Sequence, residues 1–336
     1  MRHLHAHRNP KPAQQRILPY ACLLSLLAFT GCQARALNPA GPAASAIASL
    51  WWVMFITSTL VFIVVMVALA LALRRRDVGD RGRGLSRSLV TYGGAIVPGI
   101  IVVGLMIYNT YITVQLEEPP DTPVTTVRAM AHQFWWDFEY VDYGFRTANE
   151  IHIPAGQSVM VQLASDDVIH AFWVPQLHGK RDMTPDHVGQ IWLQADEPGT
   201  YQGLCAEFCG MQHAKMQFLV IAHEPEDYQA WLEQHQVIPP VPEDPRVFRG
   251  QQIFLGSECV YCHTVRGTNA TGTLGPDLTN LASRRDLGAG TLPNTRGHLA
   301  GWIIDSQQFK PGNLMPPSPM DGQDLLDMLI YLESLR

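Results

Sequence analysis

Two short stretches of this sequence concentrate side chains that can hold redox metals. The first is Cys259-Val260-Tyr261-Cys262-His263. Two thiols three residues apart, followed at once by an imidazole, form the C-x-x-C-H pattern: the thiols can add to the vinyl groups of a haem, and the histidine can ligate its iron. A redox-active thiol pair is the plainer alternative for the same spacing. The haem reading asks for a second axial ligand well downstream. Met315, within Lys310-Pro311-Gly312-Asn313-Leu314-Met315-Pro316, offers a thioether, with Met320 as a rival. A His/Met pair closes both axial positions and raises the iron's potential, which suits electron transfer.

The second stretch runs Cys205-Ala206-Glu207-Phe208-Cys209-Gly210-Met211-Gln212-His213-Ala214-Lys215-Met216, and Asp167-Val168-Ile169-His170-Ala171-Phe172 precedes it. Cysteine, histidine and methionine are soft or borderline donors, a mixture that favours copper over metals preferring oxygen. A mononuclear blue copper site uses one cysteine; two in one loop can bridge a pair of copper ions. A Cys205–Cys209 disulfide and a tetrahedral Cys₂His₂ zinc site fit the spacing as well.

Such residues need elements that position them. Residues 124–130, 134–140, 158–163, 168–175 and 217–222 are short β-rich runs separated by Gly, Pro and Asp, a pattern that predicts an all-β sandwich. Four prolines within residues 238–245 form a stiff spacer. Beyond it, residues 246–255 and 322–335 show helical spacing of apolar side chains around a Gly/Pro-rich middle. Ahead of the β-rich part, residues 47–73 and 89–116 contain no Asp, Glu, Lys, Arg or His. About 20 such residues suffice to span a bilayer. Arg74, Arg75, Arg76, Arg81, Arg83 and Arg87 lie between the two runs and mark a cytoplasmic loop, which puts both chain ends outside. Further upstream, Arg2, Arg8, Lys11 and Arg16 precede an apolar stretch over 17–29 and then Thr30-Gly31-Cys32. That is the layout of a secretory signal, and Cys32 after Gly31 resembles the lipidated residue of a bacterial lipoprotein, although Phe29 departs from that pattern.

The chain has 336 residues, 47% hydrophobic and 16% charged, with 24 Lys+Arg against 30 Asp+Glu and a net charge of −6. That length suggests two or three modules. The mildly acidic balance supplies no basic face for nucleic acid, and the apolar content argues against global disorder.

The motif C-x-E-x-C-G-x-x-H-x-x-M over 205–216, with Asp-Val-Ile-His before it at 167–170, resembles the binuclear copper (CuA) site of cytochrome c oxidase subunit II. The part from Arg246 onward, with Gly275-Pro276 between its haem motif and Met315, resembles a class I cytochrome c. Together the chain is similar to haem-copper oxidase subunits II that carry a fused cytochrome c domain. The resemblance implies a multidomain membrane protein: a signal peptide of lipoprotein type over 1–31, a two-helix transmembrane hairpin over 46–116, and a cupredoxin-like β-sandwich over 122–235. A linker over 236–245 and an all-α class I cytochrome c domain over 246–336 complete it.

It further implies that His170 and His213 each bind one copper, that Cys205 and Cys209 bridge both, and that Met216 and the Glu207 carbonyl are weak ligands. The Glu207 side chain would face a magnesium ion shared with subunit I. Haem c would be held covalently by Cys259 and Cys262, with His263 and Met315 as axial ligands. The segment over 133–140 is similar to the family's aromatic segment beside the copper; Phe134 stands where many relatives have an electron-accepting Trp, and Trp135 and Trp136 follow. Thr91 occupies a position where relatives often place a Glu near a proton-uptake path. Asp166, Asp167, Asp182 and Glu139 read either as an attraction for a basic donor or as a solvated face. His178, His187, His223 and His235 are expected at the surface.

Nothing in the chain forms an oxygen-reducing site, so catalysis must lie in a partner. The resemblance implies the electron-input subunit of a proton-pumping oxidase in the bacterial inner membrane, its globular domains on the periplasmic face. Electrons would come from an external cytochrome c or similar donor and leave for haem a in subunit I, with subunit III as a further partner. The alternatives are the small subunit of a copper-containing nitric oxide reductase and, in a different class, a copper-binding or copper-delivery lipoprotein.

Overall fold

The computed structural model describes residues 35–74 and 87–336. The expected signal segment, Cys32 and the arginines from Arg75 to Arg83 lie outside the described residues. The first long elements are helix α1, Pro42–Arg74, and helix α2, Val97–Glu117, the latter continuing a π-helical stretch over Leu89–Ile96. Both are long and apolar enough to cross a membrane, and they are apolar all round rather than on one stripe, which fits lipid better than a soluble core. Ser49 Oγ lies 3.1 Å from Tyr108 OH and links the two helices.

At 1.5 Å per residue, α1 runs ~50 Å, well beyond a hydrocarbon layer of about 30 Å. Its surplus lies at the N-terminal end, where Ala43, Ala44 and Ala48 are buried and the Ala44 amide donates to the Leu177 carbonyl at 3.2 Å. At the C-terminal end of α2, Trp192 Nε1 donates to the Leu116 carbonyl at 3.0 Å. The outer ends of both helices are therefore seated on the globular part.

Ten strands follow: β1 Thr126–His132, β2 Trp135–Tyr140, β3 Phe145–Ala148, β4 Glu150–Pro154, β5 Val159–Ser165, β6 His170–Trp173, β7 Arg181–Met183, β8 Gly189–Leu193, β9 Gly199–Cys205 and β10 Gln217–His223. They form two five-stranded sheets, ordered β3-β2-β1-β5-β8 and β4-β10-β9-β6-β7. The result is a cupredoxin-like sandwich. Alternate residues of β1 (Val127, Ala129 and Ala131) point into it, as period-two patterning requires. Trp136, Phe138, Phe172 and Phe218 fill the space between the sheets in tilted and edge-on ring contacts. All five β-rich runs expected from the sequence contain strands, and β3, β4, β7, β8 and β9 are additional.

Helix α3, Pro225–Gln236, closes one side of the sandwich with Tyr228, Leu232 and His235 buried. The surface expectation for four histidines is corrected here. His178 and His235 are buried, because His235 stacks on Trp231 at 4.2 Å while His178 meets Trp192 edge-on at 5.0 Å. His223 is half-buried with its Nε2 2.7 Å from His152 Nδ1, and only His187 is exposed.

The last domain is built from α4 Pro245–Leu255, α5 Cys259–Cys262, α6 Arg296–Asp305 and α7 Gly322–Ser334. Asp244 caps α4 by accepting from the amides of Arg246 and Val247, and Asp321 caps α7 through Gln323 and Asp324. Helices α4 and α7 cross so closely at Gly250 that a Cβ there would lie 2.0 Å from the Asp327 carbonyl oxygen. Phe254, Leu299, Ile303, Met328, Tyr331 and Leu332 form the core of this domain.

Candidate metal and haem sites

Strand pairing brings the metal-binding side chains of the sandwich to one end. His170 opens β6, Cys205 closes β9, and β6 and β9 pair with Phe172 opposite Cys205. The loop from Cys205 to Met216 joins β9 to β10, its base closed by the Cys205 amide donating to the Met216 carbonyl at 3.1 Å. The donor atoms form a string. Cys205 Sγ lies 3.8 Å from His170 Nδ1 and 3.8 Å from Cys209 Sγ. Cys209 Sγ lies 3.7 Å from both His213 Nδ1 and Met216 Sδ. The Glu207 carbonyl oxygen is 3.2 Å from Cys205 Sγ. His170 and Met216 are fully buried, Cys205 and Cys209 nearly so.

Cys205 and Cys209 are free thiols, far from the ~2.05 Å of a disulfide. A single tetrahedral zinc would draw all four Cys and His donors together. Here His170, Cys205 and Cys209 have donor atoms within 4.8 Å of one another, and His213 stands outside that group beyond Cys209. The string leaves two places, each bounded by sulfur and one imidazole. The two sulfurs share a hydrogen bond that lowers Cys205 against the effect of burial and raises Cys209. A ready thiolate beside soft donors suits copper.

Asp167 sets the orientation of His170. Its Oδ1 accepts from His170 Nε2 at 2.7 Å. A carboxylate can only accept there, so Nε2 carries the proton and Nδ1 keeps its lone pair towards the sulfurs. Burial opposes ionisation of Asp167, but hydrogen bonds from His170 and from the Gln133 and Val168 amides outweigh it and hold the carboxyl below its usual range. This corrects the reading of Asp167 as an uncommitted surface acid. Glu139 is likewise engaged, by Arg128 at 3.0 Å and Arg146 at 3.3 Å. Asp166 and Asp182 are exposed. The Glu207 carboxylate is partly exposed, with Lys180 Nζ at 3.9 Å.

In the last domain, Cys259, Cys262, His263 and Met315 all line one cavity of about 960 Å³. Leu278, Leu281, Leu299, Trp302 and Ile303 contribute its apolar wall. Met320 does not line this cavity; it is partly buried and packs against the domain core. His263 Nδ1 donates to the Pro276 carbonyl at 2.8 Å, leaving Nε2 as the free nitrogen. Gly275 permits this closeness, since a Cβ there would lie 2.7 Å from the His263 ring. Buried Arg284 also lines the cavity with its Nε unpartnered, a donor placed for an anionic group such as a haem carboxylate. Size, apolar lining, paired thiols, an imidazole and a thioether all fit a haem.

The cavity is shared between the two domains, because Met130, His132, Gln133, Phe134, Trp135 and Asp137 of the sandwich also line it. Trp135 stacks on His132 at 4.5 Å. Trp136, one residue on, is buried with its ring 6.3 Å from His170 and its Nε1 3.5 Å from the Met216 carbonyl oxygen. Phe134 is 6% exposed, so the position that the resemblance marks for receiving electrons is covered in this chain.

Residues 144–223 match the family model described as cytochrome C oxidase subunit II, periplasmic domain, and residues 247–336 match that of cytochrome c. Cytochrome c oxidase subunit 2 of Alkalihalophilus pseudofirmus is 37% identical over 338 residues, which cover 96% of this chain and 97% of that protein. This chain belongs to the cytochrome c oxidase subunit II family. Its counterpart from Bacillus sp. strain PS3 is 32% identical over 66% of each chain. The crystal structure of the periplasmic domain of subunit II of cytochrome oxidase from Bradyrhizobium japonicum is 27% identical, covering 34% of this chain and 96% of that one, with a TM-score of 0.34. Membership makes the chain a subunit of a haem-copper terminal oxidase, an oxidoreductase complex, with subunit I as its partner. The family's periplasmic domain implies copper and the cytochrome c domain implies haem. The two apolar helices fit a membrane-anchored subunit.

Three residues of this region make contacts that the sequence reading did not anticipate. Asp167 could have been picked out as an acid three residues before a ligand-type histidine. Gln133, whose Nε2 donates to the Cys209 carbonyl at 2.5 Å, and Lys310, which is 2% exposed, gave no such signal, since both act across 76 residues or more.

Proposed function

We propose that this chain is the electron-input subunit of a cytochrome c oxidase of the bacterial inner membrane, working beside subunits I and III with its two globular domains in the periplasm. His170, Cys205, Cys209, His213 and Met216, with the Glu207 carbonyl, would hold the binuclear CuA centre. Cys259 and Cys262 would bind haem c covalently, and His263 and Met315 would take the two axial positions. When bound, these groups supply reversible one-electron chemistry, taking electrons from an external cytochrome c or similar donor towards haem a of subunit I, where oxygen reduction is coupled to proton translocation.

The observation that carries the reading is the shared cavity: the four haem-directed side chains face the aromatic segment that touches the copper-directed donors. The chain's own residues orient and exclude water. Asp167 and the Pro276 carbonyl fix which nitrogen of His170 and of His263 is free. Trp136, Phe172 and Phe218 keep the sandwich side of the site dry. Buried Cys205 and Cys209 would be the two sulfurs over which the centre's change of charge is spread. The partly exposed Glu207 carboxylate would contribute to a magnesium site shared with subunit I. We assign the domains to 46–116, 122–235 and 246–336, with 236–245 as linker and 1–31 as a signal ending before a lipidated Cys32.

The test is to purify the intact assembly and compare its oxygen and nitric oxide consumption with a reduced donor. Donor-driven oxygen uptake is expected. Nitric oxide consumption without oxygen uptake would assign the partner subunit to a different reaction.

A further inference from the structure

The cytochrome domain touches the copper loop through the same segment that carries Met315. Gln212 Nε2 donates to the Pro311 carbonyl at 2.6 Å, and Lys215 Nζ to the Phe309 carbonyl at 2.6 Å. At the centre of this seam lies Lys310. Its Nζ donates to the carbonyls of Phe134 at 2.8 Å, Lys215 at 2.6 Å and Gly288 at 2.7 Å. An ammonium has three donors and no acceptor, so three carbonyls satisfy it completely. Those carbonyls come from the aromatic segment, the copper loop and the cytochrome domain itself. A buried charge without such partners would be costly; with them it fixes three segments at one point.

Both ends of the pin lead directly to the redox donors. On one side the Lys215 carbonyl adjoins Met216, whose sulfur lies 3.7 Å from Cys209 Sγ, and the Phe134 carbonyl adjoins Trp135. On the other side the loop from Lys310 to Met315 is rigidly braced. Asn313 Nδ2 donates to the Lys310 carbonyl at 2.7 Å, and Asn313 Oδ1 accepts from the Met315 amide at 2.8 Å. Gln307 Oε1 accepts from the Gly312 amide at 2.8 Å, and Gln307 Nε2 donates to the Met315 carbonyl at 2.9 Å.

We propose that Lys310 is a positioning residue for haem-to-copper electron transfer: its buried ammonium pins the methionine loop of the cytochrome domain to the copper loop and so sets the separation of the two redox sites. This rests on the electron-input reading above. The step it positions moves one electron from reduced haem iron to the copper pair. Tunnelling rates fall steeply with distance, so a loosened seam slows the step even when both sites are intact.

The test uses the purified oxidase with Lys310→Met and Lys310→Gln. Haem c is reduced by a photochemical donor, and its reoxidation is followed together with copper reduction. Transfer should slow several-fold in Lys310→Met, which loses all three hydrogen bonds that hold the seam. Reduction of haem c by the donor, and the spectra of both sites, should stay as in the wild type. Independently of electron flow, hydrogen exchange at the Gln217 amide, which donates to the Ala289 carbonyl across the seam, should accelerate while that at Val220 in β10 does not. Should Lys310→Met not assemble, the same comparison is made with Lys310→Gln, with the same direction expected. Unchanged transfer in the variants, or slowed transfer with an altered copper spectrum, overturns the proposal. A wild type whose reduced haem c never delivers electrons to the copper pair overturns the electron-input reading instead.

Discussion

Replacing Asp167 by alanine tests the orientation of the copper-directed histidine without touching a donor atom. The carboxylate accepts three hydrogen bonds: from His170 Nε2 at 2.7 Å, the Val168 amide at 2.6 Å and the Gln133 amide at 2.6 Å. Losing the partner of a ligating histidine costs about 10–100-fold in metal affinity, or about 1.4–2.7 kcal/mol. The structure points to the upper part of that range. The Gln133 amide is released too, and the Gln133 side chain is what holds the Cys209 carbonyl. Asp167→Asn keeps an acceptor and should lose only about tenfold. Asp166→Ala is the control, because that carboxylate is 69% exposed and its one partner, His132, lies at 3.3 Å; a surface pair of this kind contributes little. Copper retention is read by titrating the purified chain with a competing chelator while following the thiolate-to-copper absorption. Wild-type retention in Asp167→Ala would refute the orienting role, and equal losses in Asp166→Ala and Asp167→Ala would reduce it to general surface charge.

Further outcomes follow from the same geometry. Cys209→Ser should abolish the two-metal site and stop turnover with the physiological donor, while haem remains covalently attached; normal donor-driven oxygen uptake in that variant would contradict the assignment. Met315→Ala should lower the haem potential and slow electron input, and an unchanged potential would move the axial role to Met320. The cluster of His152, His223 and His235 should make the fold acid-sensitive. Burial holds His223 and His235 down to about 4 and lowers His152, against an unfolded value of about 6.5. The unfolded chain therefore binds more protons between those values, so stability falls as pH drops from 6.5 towards 4 and is level above 6.5. The melting temperature should show this slope, and His235→Gln should flatten it; equal slopes in both proteins would show that this histidine takes no part.

What the sequence made legible was local. The copper-type and haem-type motifs hold all their donors but His170 and Met315 within 12 and 5 consecutive residues, and such local spacing can be read without knowing the tertiary arrangement. Strands β1 and β2 announced themselves by alternation and aromatic content. Strand β4 did not, because all five of its residues are buried, which leaves no inside–outside alternation, and two of them are the polar Glu150 and His152. They are inside because Glu150 Oε1 accepts from the Arg285 amide of the cytochrome domain at 2.6 Å and His152 stacks on Trp231 at 4.1 Å. The same blindness applied to the seam. Nothing near Lys310 in the sequence signals that its partners are Phe134 and Lys215, and the proline spacer suggested proximity of the domains without a register. A cytochrome docked over Phe134 also gives a physical reason why no exposed Trp is required at that position.

The proposed function requires a copper pair, held between His170 and His213, that exchanges electrons with a haem held in the same chain. Electron paramagnetic resonance of the purified, oxidised protein tests it most directly. The account predicts one unpaired electron shared equally over two copper nuclei, alongside a covalently bound low-spin haem. A single-copper spectrum, or a silent site holding zinc or a Cys205–Cys209 disulfide, would contradict it.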